Sequence, residues 1–141
     1  MAADCLLDTG AILALLNRQD RWHAKCKDTL GQLSLPLMTS TAVLTEAFYL
    51  LRRDRVDMEA AWTFLRSNGV VLAPIYTAEL PEIHGLMSRY WDRPMDFADA
   101  TLVHLANREA ITTIFTIDHS DFETYRIEGK RKFRIVPGRS Q

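Results

Sequence analysis

The chain has 141 residues, of which 48% are hydrophobic and 25% are charged, a composition typical of a water-soluble globular protein. Its length predicts one domain, residues 1–141, which can bury about two-thirds of the surface that the unfolded chain exposes. The formal net charge of -1 argues against a protein that coats nucleic acid nonspecifically, although a local basic groove is compatible with it. A run of about 18 apolar residues and the features of a signal peptide are both absent, so we expect a cytoplasmic protein without a membrane span.

Predicted strands and helices alternate along the chain. Strands are predicted at residues 5–7, 35–38, 70–74, 113–117 and 132–136. Helices are predicted at residues 9–16, 21–33, 41–53, 56–67, 77–90 and 97–109, and a short one ends near residue 125. This alternation predicts an α/β fold, a three-layer α/β/α sandwich with a central, mostly parallel sheet. The helix at 97–109 is almost entirely apolar and is expected at the centre of the protein.

Asp8 directly follows the apolar run at residues 5–7. A short run of this kind is typical of a strand that is buried on both faces at the centre of a sheet. Asp8 is therefore expected at the carboxyl end of a central strand, where open α/β sheets bind ligands. A carboxylate in that position must meet a cation, a hydrogen-bond donor or water, because burying it without a partner is costly.

Three further acids occupy positions where an acid is a poor structural choice. Glu46 lies in the middle of a predicted helix, and its neighbours one turn away are mostly apolar, as are the neighbours of Asp99 on a later helix. Asp118 follows a strand, as Asp8 does. Two strand ends and two inward helix faces can meet at one point above the sheet. Carboxylates packed this closely raise each other's pKa unless a cation neutralises them, and hard oxygen ligands suit Mg²⁺ or Mn²⁺.

Ordinary structural roles are also open to each acid. Asp8 and Asp118 could cap the helices that follow them, and Asp96 could cap a helix that has Asp99 at its third position. Glu46 lies too deep in its helix to cap it, so a buried salt bridge to an arginine is its best structural explanation. The four acids together are harder to explain in this way than any one of them.

These acids stand in four motifs that cover about residues 5–136. The motifs are Leu6-Leu7-Asp8-Thr9-Gly10, then Glu46 followed by an apolar helix, then Pro94-Met95-Asp96-Phe97-Ala98-Asp99-Ala100, and then Phe115-Thr116-Ile117-Asp118 with Asp121-Phe122. Their order and spacing resemble the PIN-domain nucleases, in particular the VapC-like toxins of bacterial toxin–antitoxin pairs. The resemblance implies that Asp8, Glu46, Asp99 and Asp118 are the catalytic, metal-binding acids, and that Thr116 is the hydroxyl beside the last of them. Many relatives carry Ser where this chain has Gly10, so a hydrogen bond from that position is not expected here.

The resemblance further implies a Mg²⁺- or Mn²⁺-dependent endoribonuclease that hydrolyses RNA phosphodiester bonds with water and uses no nucleophilic side chain. As the toxin of a type II pair it would bind a cognate antitoxin protein. A homodimer is also implied, for which the aromatic residues Tyr49, Trp62 and Phe64 could form the interface. The alternative is a catalytically silent PIN-like module that binds RNA or protein. An aspartyl-phosphate phosphatase is less favoured, because that chemistry usually needs a second Asp where Gly10 stands.

Several other polar residues are assigned to structural or surface roles. We expect Asp96 to cap a helix, Asp121 to lie at a helix start or beside the metal ligands, and His119 to be exposed in a turn. Two basic clusters could contact an RNA backbone or simply face solvent: Arg52, Arg53 and Arg55, and Lys130, Arg131, Lys132, Arg134 and Arg139. The second cluster has no acid among residues 129–141 and could equally meet an acidic protein partner.

Overall fold

Short strands form a parallel sheet at the centre of the protein, in a computed structural model that describes residues 2–139. The strands of this part of the chain are β1 (Cys5–Leu7), β2 (Leu37–Thr39), β3 (Val70–Leu72), β4 (Thr113–Phe115), β5 (Arg126–Ile127), β6 (Arg131–Lys132) and β7 (Arg134–Val136). Five of them form the sheet in the order β3-β2-β1-β4-β7, and every neighbouring pair is parallel. The predicted central position of the first strand is therefore confirmed.

Helices flank this sheet and complete the α/β/α fold that the sequence predicts. Within residues 2–139 they are α1 (Thr9–Leu16), α2 (His23–Gln32), α3 (Thr41–Leu51), α4 (Arg55–Leu65), α5 (Leu80–Arg89), α6 (Phe97–Glu109) and α7 (His119–Thr124). The predicted central helix is confirmed, because α6 buries every residue from 98 to 106. None of the helices in this part of the chain has the length and apolar character needed to cross a membrane.

The predictions fail mainly near the C-terminus of the described chain. The predicted strand at 132–136 is in fact two strands, because β6 pairs antiparallel with β5 while β7 joins the parallel sheet beside β4. Phe133 lies buried between the two strands. The turn between β5 and β6 requires positive φ angles of 52° at Glu128 and 73° at Gly129. The predicted helix at 77–90 begins as a 3₁₀ turn, Thr77–Glu79, before α5.

The carboxyl ends of β1, β2 and β4 lie together at one edge of the sheet. The backbone N–H of Asp8 donates to the carbonyl of Phe115 at 3.0 Å, and Thr39 Oγ1 donates to the carbonyl of Leu7 at 2.7 Å. Ser40, which follows β2, caps α3 by accepting from the backbone of Val43. Because β1 is flanked by β2 on one side and β4 on the other, this edge contains the crevice where parallel sheets of this kind bind ligands.

Candidate metal centre

Asp8 is buried at the end of β1 and is held by a hydroxyl group. Its residue is 5% exposed, and Thr116 Oγ1 donates to its Oδ2 at 2.6 Å. The side chain makes no capping hydrogen bond to α1, so helix capping does not explain this acid. The pKa of Asp8 is raised to about 6, mainly by burial and to a smaller extent by the charges of Asp118 and Glu46, while hydrogen bonds from the Thr116 hydroxyl and the Thr9 backbone oppose the increase.

Glu46 lies half-buried on α3 and faces the start of α1. Thr9 Oγ1 donates to its Oε1 at 2.7 Å. The salt bridge to an arginine that could have explained Glu46 does not occur among residues 2–139, where none of its oxygens is in an ion pair. A threonine hydroxyl orients this carboxylate without neutralising it.

Asp99 is the acid whose ionisation is most disfavoured. It lies in the first turn of α6, is 7% exposed, and accepts a hydrogen bond from the hydroxyl of Tyr125 at 3.0 Å. Burial raises its pKa to about 8, helped by the negative charges of Asp8, Asp96 and Asp118, while the bond from Tyr125 acts in the opposite direction. Asp96 caps α6 through the backbone N–H of Asp99 at 2.7 Å, as the sequence predicts.

Asp118 and Asp121 form a close pair at the start of α7. Asp118 is exposed, accepts from the backbone N–H of Asp121 at 3.4 Å, and so has the capping role that the sequence left open. Its own backbone N–H donates to Thr116 Oγ1 at 2.9 Å, which joins it to the hydroxyl that also binds Asp8. The pKa of Asp118 is raised to about 6, first by partial burial and then by the hydrogen bond and charge of Asp121. Asp121 pairs with Arg93 Nε at 3.0 Å.

Carboxylates from separate parts of the chain therefore meet at the crevice. Asp99, Asp118 and Asp121 each offer an oxygen, and these three atoms lie within 4.8 Å of one another. The pKa values of Asp8 and Asp99 both respond to the charge of Asp118, and Asp8 also senses Glu46. Within residues 2–139 no lysine or arginine forms an ion pair with Asp8, Glu46, Asp99 or Asp118. An oxygen-only donor set with an excess of negative charge fits Mg²⁺ or Mn²⁺.

For some residues of this centre, the structure differs from the role that we predicted from the sequence, or we predicted no role. Asp121 was expected at a helix start or beside the ligands, and one of its oxygens lies within 4.8 Å of oxygens of both Asp99 and Asp118. Tyr125 was not singled out, because a tyrosine at a helix end carries no signal that its hydroxyl reaches an acid 26 positions away. The expectation that His119 is exposed was wrong: it is 6% exposed, and its Nε2 lies 2.9 Å from the carbonyl oxygen of Pro137.

Gly10 occupies a position that has no room for the serine side chain that many relatives carry there. A Cβ atom at this position would lie 2.8 Å from Ile117 Cγ1, closer than carbon atoms can approach without a shift. Ile117 therefore fills the space that a serine side chain would need. The hydroxyl groups that hold the acids come instead from Thr9, Thr116 and Tyr125.

A polar cleft borders the acids on the side of Asp118. It encloses about 430 Å³ and is lined by Arg21, Trp22, Asp118, His119 and Arg139, among others. Arg139, from the second basic cluster, forms an ion pair with Glu123, which precedes the acid-free segment 129–141. Cationic and acidic side chains therefore line the same cleft beside the acids.

Comparisons with known proteins agree with the motifs. The family model described as PIN domain matches residues 5–128. Ribonuclease VapC26 of Mycobacterium tuberculosis (strain ATCC 25618 / H37Rv) is 30% identical over 135 residues, which cover 94% of this chain and 99% of the relative. The crystal structure of Mycobacterium tuberculosis VapC20, a sarcin-ricin loop cleaving toxin, superposes with a TM-score of 0.73 at 24% identity, over 82% of this chain and 90% of that one. At that identity, the structural match concerns the fold.

The raised pKa of Asp99 predicts that stability depends on pH. In the folded chain the pKa of this carboxyl is about 8, against an ordinary value of 3.8, so between these values the folded protein binds more protons than the unfolded one. The stability that it contributes is present below pH 4 and is lost as the pH rises through 8. Because each pH unit in this window changes the free energy of unfolding by about 1.4 kcal/mol, we expect that free energy, measured by urea denaturation in EDTA, to fall by about 4 kcal/mol from pH 5 to pH 8.

Asp99→Asn should reduce the decrease in the free energy of unfolding between pH 5 and pH 8. Asp28→Asn, at an exposed position on α2, should leave that decrease unchanged. Adding Mg²⁺ at pH 8 should stabilise the original chain more than the Asp99→Asn variant. Equal stability of the original chain at pH 5 and pH 8 in EDTA would contradict the assignment.

Tyr125→Phe tests whether the tyrosine hydroxyl keeps Asp99 available for a cation. Without the bond to the carboxylate, the pKa of Asp99 rises further, so a proton competes more strongly with the metal. A hydrogen bond to a charged group is worth about 1.5–3 kcal/mol, which predicts roughly tenfold weaker Mn²⁺ binding at pH 7 by calorimetry. The difference should narrow at pH 9, because the ionised fraction of Asp99 increases in both proteins and protons compete less with the metal.

Tyr90→Phe is the matched control, because the Tyr90 ring packs 5.1 Å from that of Tyr125 but its hydroxyl accepts from the backbone of Arg126. It should leave Mn²⁺ binding unchanged at both pH values. An equal loss of affinity for Tyr125→Phe at pH 7 and pH 9 would indicate a purely structural role.

Proposed function

The chain belongs to the PIN-domain family, and from this we propose that it is a Mg²⁺- or Mn²⁺-dependent endoribonuclease and the toxin of a type II toxin–antitoxin pair. The observation that carries the proposal is the group of acids at the crevice. Among residues 2–139, four of these acids form no ion pair with a lysine or arginine. The relative named Ribonuclease VapC26, matched over 94% of this chain, supports RNA as the substrate. We further propose that the described fold acts as a single domain and that it works in the cytoplasm.

In this proposal Asp8, Glu46, Asp99 and Asp118 are the metal-binding and catalytic acids, and Asp121 joins them. A bound Mg²⁺ or Mn²⁺ would lower the pKa of an attacking water and offset the negative charge of the phosphate. The chain's own groups prepare the ligands: Thr116 fixes Asp8, Thr9 fixes Glu46, and Tyr125 favours the ionised form of Asp99. Arg93 holds Asp121 at 3.0 Å and so limits how far that side chain turns toward a cation.

The cleft beside Asp118 supplies the complementary charge that a phosphodiester needs. Arg21 and Arg139 line it together with Trp22, on the same side as the exposed Asp118. Guanidinium groups bind phosphate oxygens through paired N–H donors, and Arg139 would bind a phosphate in exchange for Glu123, to which its Nε and Nη2 donate here. We therefore assign this cleft to the RNA backbone on one side of the cleaved bond, which gives the second basic cluster a partial role in substrate binding through Arg139.

The nuclease proposal is tested by Mn²⁺-dependent cleavage of a structured RNA. Asp8→Asn keeps the size of the side chain but removes its charge, so we expect cleavage to fall by about 100-fold or more. Asp28→Asn is the control, since it removes one exposed acid from α2 and should cleave at the original rate. Far-UV circular dichroism establishes that both variants are folded.

Equal cleavage by the original chain and Asp8→Asn would exclude these acids as the nuclease site. RNA binding without Mn²⁺-dependent cleavage by any of the proteins would favour the alternative, a catalytically silent module that binds RNA or protein. The complete set of acids supports the enzyme over this module.

A toxin requires a neutralising protein, which we expect to be encoded by a small neighbouring gene and to bind tightly. Because four of the acids form no ion pair with a cation in the described part of the chain, we predict that this protein places an Arg or Lys side chain near Asp8 or Asp99, where it can replace the metal. A crystal structure of the complex tests this. A complex that suppresses cleavage with no basic side chain near either acid would contradict it. The homodimer implied by the family is part of the same proposal and is measured by light scattering.

A further inference from the structure

Three exposed cations lie on the hairpin of β5 and β6, away from the acids. Lys130, Arg131 and Lys132 are all exposed, and none of them forms an ion pair within residues 2–139. Residues 129–141 contain five lysines and arginines and no acid, although the net charge of the whole chain is -1. The hairpin therefore presents positive charge that ion pairs within the described chain do not explain.

The backbone of this hairpin is fixed to the helix behind it. The backbone N–H of Glu128 donates to Asn107 Oδ1 on α6 at 2.7 Å, and the N–H of Lys130 closes the turn by donating to the carbonyl of Ile127 at 3.0 Å. The side chains of Ile127 and Phe133 are buried. The cations are thus held on an ordered backbone, so a partner can bind them without first ordering this segment.

Arg126 is the cation of this hairpin that has a structural role. Its Nη1 donates to the carbonyls of Glu123, Thr124 and Tyr125 at 2.7, 3.0 and 3.1 Å, at the C-terminal end of α7. A cation in this position binds carbonyl groups that have no partner within the helix. Lys132 lies opposite Arg126 on the neighbouring strand. The end of α7 is already capped by Arg126, so capping does not explain the three exposed cations.

The cations of the hairpin continue those of the cleft beside Asp118. Arg139, which lines that cleft, donates from Nε to Glu123 Oε2 at 3.0 Å. The pKa of Glu123 is lowered, first by this hydrogen-bonded arginine and also by the positive charge of Lys132. Glu123 is therefore close to cations of both the cleft and the hairpin. We call the row that begins in the cleft and ends at the turn the cationic track: Arg139, Lys132, Arg131 and Lys130.

The chemistry of the cationic track fits the backbone of a nucleic acid. Phe133 is the aromatic residue of the hairpin, and it packs edge-on against Phe122 at a centroid distance of 5.5 Å, so it is not free to stack on a base. Interfaces between proteins usually have an apolar core, which this surface lacks because Ile127 and Phe133 are buried. Nucleic acids are instead bound by polar, positively charged surfaces whose lysines and arginines contact phosphates.

We propose that the cationic track binds the phosphodiester backbone of the RNA substrate, over nucleotides that extend past the cleft beside Asp118 and independently of their bases. The inference rests on the proposed nuclease function and adds the path by which the substrate leaves the acids, over α7 and along the hairpin. Lys130, Arg131 and Lys132 each contact a phosphate on this path. Phosphate contacts position an RNA but carry no sequence information, so the track contributes affinity and not base selectivity.

The test measures how RNA binding depends on salt, by fluorescence anisotropy, with every protein in the Asp8→Asn background so that the proposed nuclease site is disabled. The probes are an oligouridylate and an oligoadenylate of about twenty units, long enough for several phosphate contacts, and a polyglutamate of similar length. Each phosphate contact on a single strand contributes about 0.7 to the slope of log K against log salt concentration. The triple variant Lys130→Gln/Arg131→Gln/Lys132→Gln should therefore reduce the slope by about 2 and, in about 0.1 M salt, bind both RNAs about 100-fold more weakly.

Two variants serve as controls. Arg66→Gln removes an exposed cation at the end of α4, next to β3, which is the edge strand of the sheet opposite to β7, and it should change neither slope nor affinity. Lys130→Arg/Lys132→Arg keeps both charges and should bind the two RNAs within about twofold of the parent protein. Far-UV circular dichroism establishes that all variants are folded.

An unchanged slope in the triple variant would overturn the proposal. So would a loss confined to one of the two RNAs, because the hairpin would then recognise a base. Tighter binding of polyglutamate than of RNA, lost in the triple variant, would also overturn it, because the track would then fit an acidic protein. Cleavage is measured separately on the chain with Asp8 intact: no Mn²⁺-dependent cleavage, together with the expected change in slope, would contradict the nuclease and still support the track as an RNA-binding surface.

Discussion

The central physical constraint in this structure is the repulsion among carboxylates that lie together at one edge of the sheet. Asp8 ends the central strand and Asp99 lies on the most buried helix, so neither carboxylate can turn fully into water. Burial and mutual repulsion raise the pKa of Asp8 to about 6 and that of Asp99 to about 8. Without a cation, the protein can relieve this repulsion only by binding protons. A divalent cation would restore the charged forms and remove the same penalty.

The way in which the acids are held is as informative as their proximity. Thr9, Thr116 and Tyr125 each donate a hydroxyl to one carboxylate, whereas among the described residues only Asp121 of this group is paired with an arginine. A hydroxyl fixes the direction of a carboxylate but leaves its negative charge in place. A cluster built for stability alone would be expected to use arginines, since an unpaired buried charge is costly. In the proposed metal centre, the hydroxyls would hold the acids in place for a ligand that carries positive charge.

The sequence predicts a residue of the centre only where the neighbouring residues in the sequence indicate its position in the fold. Asp8 and Asp118 are recognisable because each follows an apolar run. Asp99 is recognisable because its helix is almost entirely apolar and its neighbours one turn away are apolar. Asp121 and Tyr125 are not recognisable in this way, since their contacts with Asp99 depend on how α7 packs against α6. The same limit applies to His119, whose burial follows from the path of the chain to Pro137. The hairpin of β5 and β6 was missed because its strands have only two residues each.

The most direct measurement is anomalous scattering from a crystal of the protein soaked in Mn²⁺. The account predicts a peak at the crevice, within coordination distance of carboxylate oxygens from Asp99 and Asp118 and with Asp8 turned toward it, and loss of the peak in a crystal of Asp99→Asn. A fully soaked crystal with no anomalous peak near these acids, or a peak that persists unchanged in Asp99→Asn, would contradict the account.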